Sequence, residues 1–302
     1  MKLNKSSSAE QFDIAIFGLG YESRSTHVFK KYSECGCKIA IGYDTNVVDL
    51  YYADNRKYFE SNNCEILERS ENNILDDVEK FLEENLSSGE AKSVLFDITA
   101  FTRARIATVL KLLFSKLSAG SALTVMYSPS VYVSPPAGAT PVKKISAIDD
   151  YYSGVLGDLG RPVALVLSLG YEKNKALGLV NYLDASRHFI LVPHSSHPEF
   201  EIAVRDNNKE ILSDAGPNDI FVYDVEDPYS TYVDMKALVL SAQSDYRPVI
   251  VPLGPKVVCA ISVFIAHELY PNVPVWRVSS NHSEEPVERQ ASGNVVKFTI
   301  DF

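Results

Sequence analysis

Two short glycine turns carry residue types that bind anionic or nucleotide ligands. Residues Asp13–Thr26 read DIAIFGLGYESRST and residues Val163–Ala176 read VALVLSLGYEKNKA, so a shift of 150 aligns Leu-Gly-Tyr-Glu in both. Glycine permits a tight turn, and the N–H groups where a helix begins attract an anion. Asp44 follows Gly18 by 26 residues, where a dinucleotide-binding fold places the acid that contacts a ribose hydroxyl. Ser23 replaces the third glycine of that motif, so dinucleotide binding, another polar ligand and a purely structural turn all stay open.

The loops after the fourth predicted strand of each half form a second pair of candidate anion sites. Asp97–Arg103 reads DITAFTR and Pro252–Lys256 reads PLGPK, and each combines small or hydroxyl residues, a predicted helix start and a cation. That arrangement suits a phosphate group. Neither loop matches the G-x-x-x-x-G-K-[ST] pattern of the P-loop. The alternative is helix capping, with Thr99 or Thr102 as the N-cap and Pro255 in the first turn.

Two histidines take the place in the second half that Asp44 has in the first. His194 and His197 form an H-x-x-H pair, which suggests a metal, but no third ligand with a recognisable spacing accompanies them. We therefore predict no metal site, and a ligand contact, acid–base work and an ordinary loop stay open. No nucleophile elbow, H-E-x-x-H or zinc-deaminase pattern occurs, and the sequence identifies no cofactor beyond a nucleotide-like ligand.

These observations define two candidate pockets of unequal chemistry. The Tyr-Glu pair is the same in both copies, but Arg24 in the first becomes Asn174 in the second. The first set of candidate ligand-binding residues is Gly18, Gly20, Tyr21, Glu22, Arg24, Asp44, Asp97, Thr99 and Arg103. The second set, which we expect to be the degenerate twin, is Gly170, Tyr171, Glu172, His194, Gly254, Lys256 and Arg277.

The elements that must position these residues alternate between strand and helix. Apolar runs predict five strands in each half, separated by helices that include Val47–Phe59 and Glu199–Ser213. Continuously apolar strands in such an alternation are typical of parallel sheets covered on both faces. We predict an α/β fold of two tandem Rossmann-like, doubly wound domains related by internal duplication, a pseudo-dimer. The expected order is a disordered tail (1–11), an N-terminal domain (12–134), a connector (135–161) and a C-terminal domain (162–302).

Composition excludes several classes of function. The chain is 46% hydrophobic and 23% charged, with a net charge of −10, which argues against direct nucleic-acid binding as the main role. The longest apolar run, Val257–Ala266, is shorter than the roughly 20 residues of a membrane span, and no signal peptide is visible. Four cysteines, single or as one C-x-C, match neither a disulfide framework nor a zinc site. We predict a cytoplasmic protein with no membrane partner.

We favour a binding module as the function. In this hypothesis a sensor or regulatory protein binds a small nucleotide- or phosphate-bearing ligand at the strand carboxyl ends. Binding shifts the angle between the halves, and a separate protein partner carries the output. No motif is close enough to name a family. The layout of two Rossmann-like halves is nevertheless similar to fused sensor domains that bind signalling nucleotides in prokaryotic immunity, which implies a role in defence or signalling.

Two alternatives stay open. The first is an enzyme that uses a nucleotide-like cofactor, a methyltransferase or a dehydrogenase, with Asp97, Tyr127 or His194 near the chemistry. The second is a structural or scaffold subunit whose pocket is degenerate. The spacing of residues assembles no nucleophile–base pair, so the sequence leaves open whether the protein is an enzyme.

Overall fold

The computed structural model describes residues 1–5, 11–45, 47–70, 74–86, 89–135, 142, 144–155, 157–173, 175–279 and 286–302. The chain divides into two compact units. Unit 1 comprises Met1–Val131 and Pro286–Phe302, and unit 2 is Tyr132–Glu285, which is inserted between the two parts of unit 1. The sequence prediction instead put residues 286–302 in the second domain. Parts of the predicted connector, at 136–141, 143 and 156, and also Asn174, lie outside the described residues.

Strands and helices alternate along the described chain, so the fold is α/β. The strands are β1 (Lys2–Lys5), β2 (Phe12–Gly18), β3 (Cys35–Gly42), β4 (Glu65–Glu68), β5 (Ser93–Asp97), β6 (Ala122–Tyr127), β7 (Lys144–Ala147), β8 (Val163–Ser168), β9 (Arg187–His194), β10 (Ile220–Asp224), β11 (Arg247–Pro252), β12 (Trp276–Ser279) and β13 (Val296–Asp301). The α-helices are α1 (His27–Lys31), α2 (Tyr52–Ser61), α3 (Ile74–Leu86), α4 (Arg103–Lys116), α5 (Lys175–Leu183), α6 (Pro198–Asn207), α7 (Lys209–Asp214), α8 (Pro228–Ala242) and α9 (Lys256–Glu268).

The sheet of unit 1 is parallel in its centre and antiparallel on one side. Its strand order is β1-β13-β6-β5-β2-β3-β4. Strands β2 to β6 run parallel, and β13 is antiparallel to both β6 and β1. The apolar strand β2 is buried from Ile14 to Gly18 and therefore needs cover on both faces. Aromatic rings supply part of that cover, since the ring centroid of Phe29 lies 4.9 Å from that of Phe17 and 5.1 Å from that of Phe59.

Residues near both ends of the sequence take part in this sheet, which corrects one prediction. We expected residues 1–11 to form a disordered tail, but Lys2–Lys5 form β1 and Leu3 is only 2% exposed. Residues 6–10 lie outside the described residues. Strand β13 pairs with β1 on one side and β6 on the other. Strand β13 is therefore an interior strand of this sheet.

Unit 2 is built on a four-stranded parallel sheet in the order β10-β9-β8-β11. Strands β7 and β12 form a separate antiparallel pair, and an isolated parallel bridge joins Ile250 to Val275. Helix α9 supplies much of the core because every residue of Val257–Ala266 is buried. The predicted helix Glu199–Ser213 is divided at Asn208 into α6 and α7.

The parallel strands of the two units share an order. Counted within each unit, the third, second, first and fourth parallel strands lie side by side, as β4-β3-β2-β5 and as β10-β9-β8-β11. The order reverses between the first and fourth of these strands. The loops after β2 and β5, and those after β8 and β11, therefore begin at neighbouring carboxyl ends, where open parallel sheets bind ligands.

Candidate functional site

The glycine turn after β2 is closed by a serine that the sequence analysis did not single out. The Gly20 N–H donates to Ser25 Oγ (3.0 Å), and the Ser25 hydroxyl donates to the Gly18 carbonyl (2.7 Å). A Cβ on either glycine would lie 3.0 Å from the Ala100 Cβ. Both glycines are thus needed for close packing against the β5–α4 loop, and the Gly20 N–H is used within the turn. Lys175 aligns with Ser25 when the two similar stretches are compared, so that comparison gave no signal for Ser25.

Glu22 and Arg24 form a buried ion pair beside this turn. Arg24 Nε lies 2.5 Å from Glu22 Oε2, and the Arg24 and Glu22 side chains are 2% and 10% exposed. A second nitrogen of Arg24 donates to the Ser128 carbonyl (2.8 Å), and the guanidinium carbon lies 5.8 Å from the Tyr127 ring centroid. Burial opposes the charge of Arg24, but Glu22 and Tyr127 outweigh it and raise the pKa. Arg289 approaches the other Glu22 oxygen at 3.4 Å.

A carboxylate of the chain itself lies at the start of the 3-10 helix Ser23–Thr26. Glu288 accepts from the Ser23 N–H at 3.2 and 3.3 Å through its two oxygens and also accepts from the Ser23 hydroxyl. The neighbouring residues hold this segment in place, because the Val131 N–H donates to the Gln290 carbonyl (3.0 Å). An internal acid therefore takes the position where the sequence predicts an external anion.

Asp97 and Thr99 are fully buried and link β5 to β6. Asp97 Oδ1 accepts from the Thr99 N–H (2.9 Å) and from its hydroxyl, and Thr99 Oγ1 accepts from the Ser128 N–H (2.9 Å). The Ser128 hydroxyl lies 2.8 Å from His27 Nδ1, and burial lowers the pKa of His27. This line of bonds holds the carboxyl ends of two strands together. It gives Asp97 and Thr99 a structural part at the predicted site.

Arg105, an arginine of α4 that the sequence analysis did not single out, is buried and holds the ends of two strands together. Arg105 is 1% exposed and donates to the carbonyls of Gly42 (2.5 Å) and Arg69 (2.7 Å). Its guanidinium carbon lies 3.6 Å from the Tyr43 ring centroid. Arg103 opens α4 and is half-buried. The cation two positions further along the same helix is the one that joins the ends of β3 and β4.

Asp44 and Tyr21, two residues of the first candidate set, are both at least partly exposed. Asp44 follows β3 in a bend and is exposed. Asp44 belongs to the loop between β3 and α2. At the end of that loop the Tyr51 N–H donates to the Tyr21 carbonyl (3.0 Å), which places Tyr51 beside the glycine turn. The Asn55 side chain, buried at 5% exposure, donates to the carbonyls of Gly20 and Glu22, each at 2.9 Å. Tyr21 is half-buried.

The corresponding turn of unit 2 is held by an equivalent bond. The Asn208 side chain donates to the Gly170 carbonyl (2.9 Å), and the Asn207 side chain donates to the Tyr171 carbonyl (2.7 Å). Glu172 is 28% exposed, and its Oε1 lies 3.8 Å from Lys175 Nζ. The charges at this turn are therefore less buried than those of the Glu22–Arg24 pair.

The turn after β8 crosses the loop after β11 at very close range. A Cβ on Gly254 would lie 2.6 Å from Ser168 Oγ, 2.7 Å from the Tyr223 hydroxyl oxygen and 2.8 Å from the Leu169 carbonyl oxygen. The Ser168 and Tyr223 hydroxyls are 2.9 Å apart. Helix α9 begins immediately afterwards at Lys256, which is half-buried. Only glycine allows the loop to pass here and present the start of α9 at the carboxyl edge.

His194 ends β9 next to this edge. Its Nδ1 lies 2.7 Å from Glu201 Oε2, and the side chain is 55% exposed. The hydrogen bond with Glu201, aided by the charges of Glu201, Asp224 and Glu226, raises the pKa of His194. Arg277, the last residue of the second predicted set, lies on β12 and pairs with Ser146 of β7. The structure thus brings Gly170, Gly254 and Lys256 together where the two loops cross, and His194 is the last residue of the adjacent strand β9.

No protein-family model matches the chain, and no curated protein matches it. No helix among the described residues is long and apolar enough to cross a membrane. In the same part of the chain, no group of three or more His, Cys, Asp or Glu side chains is arranged to hold a metal ion.

Proposed function

We propose that this protein binds a small nucleotide- or phosphate-bearing ligand at the carboxyl ends of the strands of unit 2 and acts as a sensor or regulatory protein. One observation carries the proposal. The glycine turn after β8 and the loop after β11 meet at Gly254, directly before α9 begins at Lys256. A helix start with an adjacent cation, at the point where strand order reverses, is the arrangement that binds phosphate in open α/β sheets.

Unit 2 is a better location for the ligand than unit 1, although we expected the reverse from the sequence. In unit 1 the Gly20 N–H is bonded to Ser25, and Glu288 occupies the start of the helix. Arg24, the cation of the turn, is 2% exposed and bonded to Glu22. An incoming anion would have to displace these internal partners, so we assign unit 1 a structural role.

The side chains around the unit 2 edge suit the other parts of a nucleotide. Glu172 and Asp224 carry carboxylates, which accept hydrogen bonds from ribose hydroxyls. His194, held by Glu201, offers a ring that stacks on a base or bonds to it. The chemical class that combines a phosphate, hydroxyls and a planar base is a nucleotide.

We further propose that the units are Rossmann-like domains that arose by duplication. The shared strand order supports this history, and so do paired backbone contacts. The Leu19 N–H donates to the Ile41 carbonyl and the Leu169 N–H to the Leu191 carbonyl, both at 2.9 Å. Asn55 and Asn208 each donate to the glycine carbonyl of their turn at 2.9 Å. A buried asparagine on the same turn in both copies is not required by an α/β fold alone.

The setting is part of the same proposal. We place the protein in the cytoplasm because its four cysteines are free thiols. We assign the output to a separate protein partner in a prokaryotic defence or signalling system, on the likeness of the layout to fused nucleotide sensors.

The test is a ligand screen with matched variants. Thermal unfolding is followed with ATP, NAD⁺ and cyclic dinucleotides, where a ligand at 100 times its Kd stabilises by about 2.7 kcal/mol. Lys256→Ala should weaken that ligand at least tenfold, and Arg103→Ala, at the equivalent helix start of unit 1, should leave it unchanged. Loss of binding in Arg103→Ala alone would move the site to unit 1. Turnover of the ligand would favour an enzyme, and no stabilisation by any probe would favour the scaffold alternative.

A further inference from the structure

Arg277 of β12 carries a buried guanidinium nitrogen that has no internal partner. Its Nε is buried, and among the described residues no acceptor lies within hydrogen-bond distance of that atom. A buried N–H without an acceptor costs free energy, so native proteins normally supply one. The acceptors that the arginine fork fits best are carboxylates and phosphates. Arg277 therefore still has a donor to offer to an anionic ligand.

The strand register places Arg277 beside the loop that follows β11. A parallel bridge joins Ile250 of β11 to Val275 of β12. Two residues further along each strand, Arg277 comes level with Pro252, the last residue of β11. Neighbouring strands are about 4.8 Å apart, so Arg277 lies one strand spacing away from the loop that leads into α9.

Arg277 also points to the face of the sheet on which the two loops cross. Its neighbours Trp276 and Val278 pack against the apolar cluster of unit 2, and successive side chains of a strand point to opposite faces. The two neighbours of Ser168 belong to the same cluster, so Ser168 points to the face of Arg277. Ser168 Oγ is the atom that lies 2.6 Å from the Cβ position of Gly254. Arg277 and the loop crossing thus share one face.

The paired strands β7 and β12 present a basic, hydroxyl-rich surface on that face. It carries Lys144 and Ser146 of β7, which lie opposite Ser279 and Arg277 of β12. Lys144 is exposed, and neither strand contains an aspartate or a glutamate. In a chain with a net charge of −10, a surface of two cations without an acid of its own favours an anionic ligand.

Charges divide along the carboxyl edge of unit 2. Carboxylates lie on one side, with Glu172 in the turn after β8 and Asp224 at the end of β10. Cations lie on the other side, with Lys256 after β11, Arg277 on β12 and Lys144 at the start of the antiparallel strand β7. This division is complementary to a ligand that has hydroxyl groups at one end and several negative charges at the other.

We propose that the ligand of unit 2 carries two or more consecutive phosphoryl groups, as a nucleoside di- or triphosphate does, and that Arg277 binds the second of them. The assignment rests on the proposed function. Lys256 and the start of α9 bind one phosphoryl group, and the next group extends towards Arg277, one strand spacing away. Lys144 lies one strand further out, where a third group would end. The phosphates of a cyclic dinucleotide are separated by ribose, so they do not match this row of cations.

Calorimetric titration of the full chain with AMP, ATP and inorganic pyrophosphate tests the assignment. The unmodified protein should bind ATP about 30-fold more tightly than AMP, because a hydrogen bond to a charged group is worth that much. Arg277→Gln should remove most of this preference and weaken AMP by less than about threefold. Lys144→Gln should weaken ATP by only about threefold, because Lys144 is exposed. The control is Arg187→Gln at the start of β9, where Arg187 is paired with Asp219, and it should change none of these affinities.

Thermal unfolding without ligand tests the unpaired nitrogen separately. Because Arg277 Nε has no internal acceptor, Arg277→Gln should leave the midpoint of unfolding unchanged or raise it. Arg277→Lys keeps the charge but loses the fork, so it should recover only part of the affinity for ATP.

The outcomes separate this assignment from the proposed function. AMP bound as tightly as ATP, or an Arg277→Gln variant that weakens both equally, would overturn the assignment and leave nucleotide binding intact. A marked fall of the midpoint in both Arg277 variants would also overturn it, because the nitrogen would then have an internal partner. Pyrophosphate bound as tightly as ATP would support the assignment and remove the nucleotide from the proposed function. No binding of any of the three probes would overturn both.

Discussion

Removing the guanidinium of Arg24 should destabilise the turn region of unit 1 more than any other single change at the predicted site. Arg24→Met keeps the length of the side chain but leaves Glu22, 10% exposed, without its 2.5 Å partner, and leaves the Ser128 carbonyl without its donor. Breaking a buried pair from one side costs about 3–5 kcal/mol. Arg289 stays near Glu22 at 3.4 Å, so we expect the lower end, about 3 kcal/mol.

A double-mutant cycle separates this cost from simple loss of packing. Glu22→Gln with Arg24→Met removes both charges, so it should cost about 1 kcal/mol, less than Arg24→Met alone. Hydrogen exchange of peptides from β2 and α1 is the assay, because it reports local opening in a protein of two units. Arg24→Met should speed exchange there by about 100-fold, at 1.4 kcal/mol for each factor of ten.

The control is Arg103→Met, which changes a half-buried arginine of the same unit. It should alter exchange in β2 and α1 much less than Arg24→Met does. An Arg24→Met effect under about 1 kcal/mol would contradict the argument, because an orphaned buried carboxylate costs more than that. A double mutant as unstable as the sum of the single mutants would contradict it as well, since the two charges would then be independent.

Two further changes test the packing and electrostatics of unit 2. Gly254→Ala places a methyl group within 2.7 Å of the Tyr223 hydroxyl oxygen and should lower the free energy of unfolding by about 1–3 kcal/mol, measured by thermal unfolding. The control is Gly178→Ala on α5, where the new methyl group meets open space and should raise the free energy of unfolding by up to about 1 kcal/mol. Equal effects of the two substitutions would refute the close contact at Gly254. The hydrogen bond with Glu201 raises the pKa of His194. The stability that this bond gives the folded protein is therefore complete below the ordinary histidine pKa of about 6.5, and it is lost as the pH rises through the raised pKa of His194. His194→Gln should therefore cost under about 1 kcal/mol at pH near 6 and nothing near pH 9, and a loss that grows with pH would refute the pairing.

Hydrophobic periodicity could predict interior parallel strands such as β5 and β8, because each contains a continuous apolar run that is buried. It could not predict β1, since Lys2–Lys5 is short and polar and is ordered only by pairing with β13. It also began α2 too early. Leu50 has a positive φ of 43°, and the Tyr51 N–H bonds to the Tyr21 carbonyl, so the helix begins at Tyr52. Both errors come from long-range contacts that no local pattern contains.

The candidate site was harder to predict because glycine, serine and arginine each have two uses. A glycine turn that binds an anion and a glycine turn that packs against Ala100 have the same sequence pattern. The hydrogen bond from the Gly20 N–H to Ser25 Oγ distinguishes them, because it uses an N–H that would otherwise bind the anion. The burial of Arg105 depends on carbonyls from β3 and from the loop after β4, which sequence spacing does not bring together. Asp54-Asn55 resembles Asp206-Asn207 in the sequence, but the asparagine that donates to the glycine carbonyl of the second turn is Asn208, not Asn207.

The position of β13 between β1 and β6 sets an order of events during synthesis on the ribosome. All of unit 2 is translated between β6 and β13, so the nascent chain can complete the sheet of unit 2 while β6 still lacks its neighbour. Until β13 emerges, β6 is a bare edge, and a chaperone that shields extended apolar segments would find its target there.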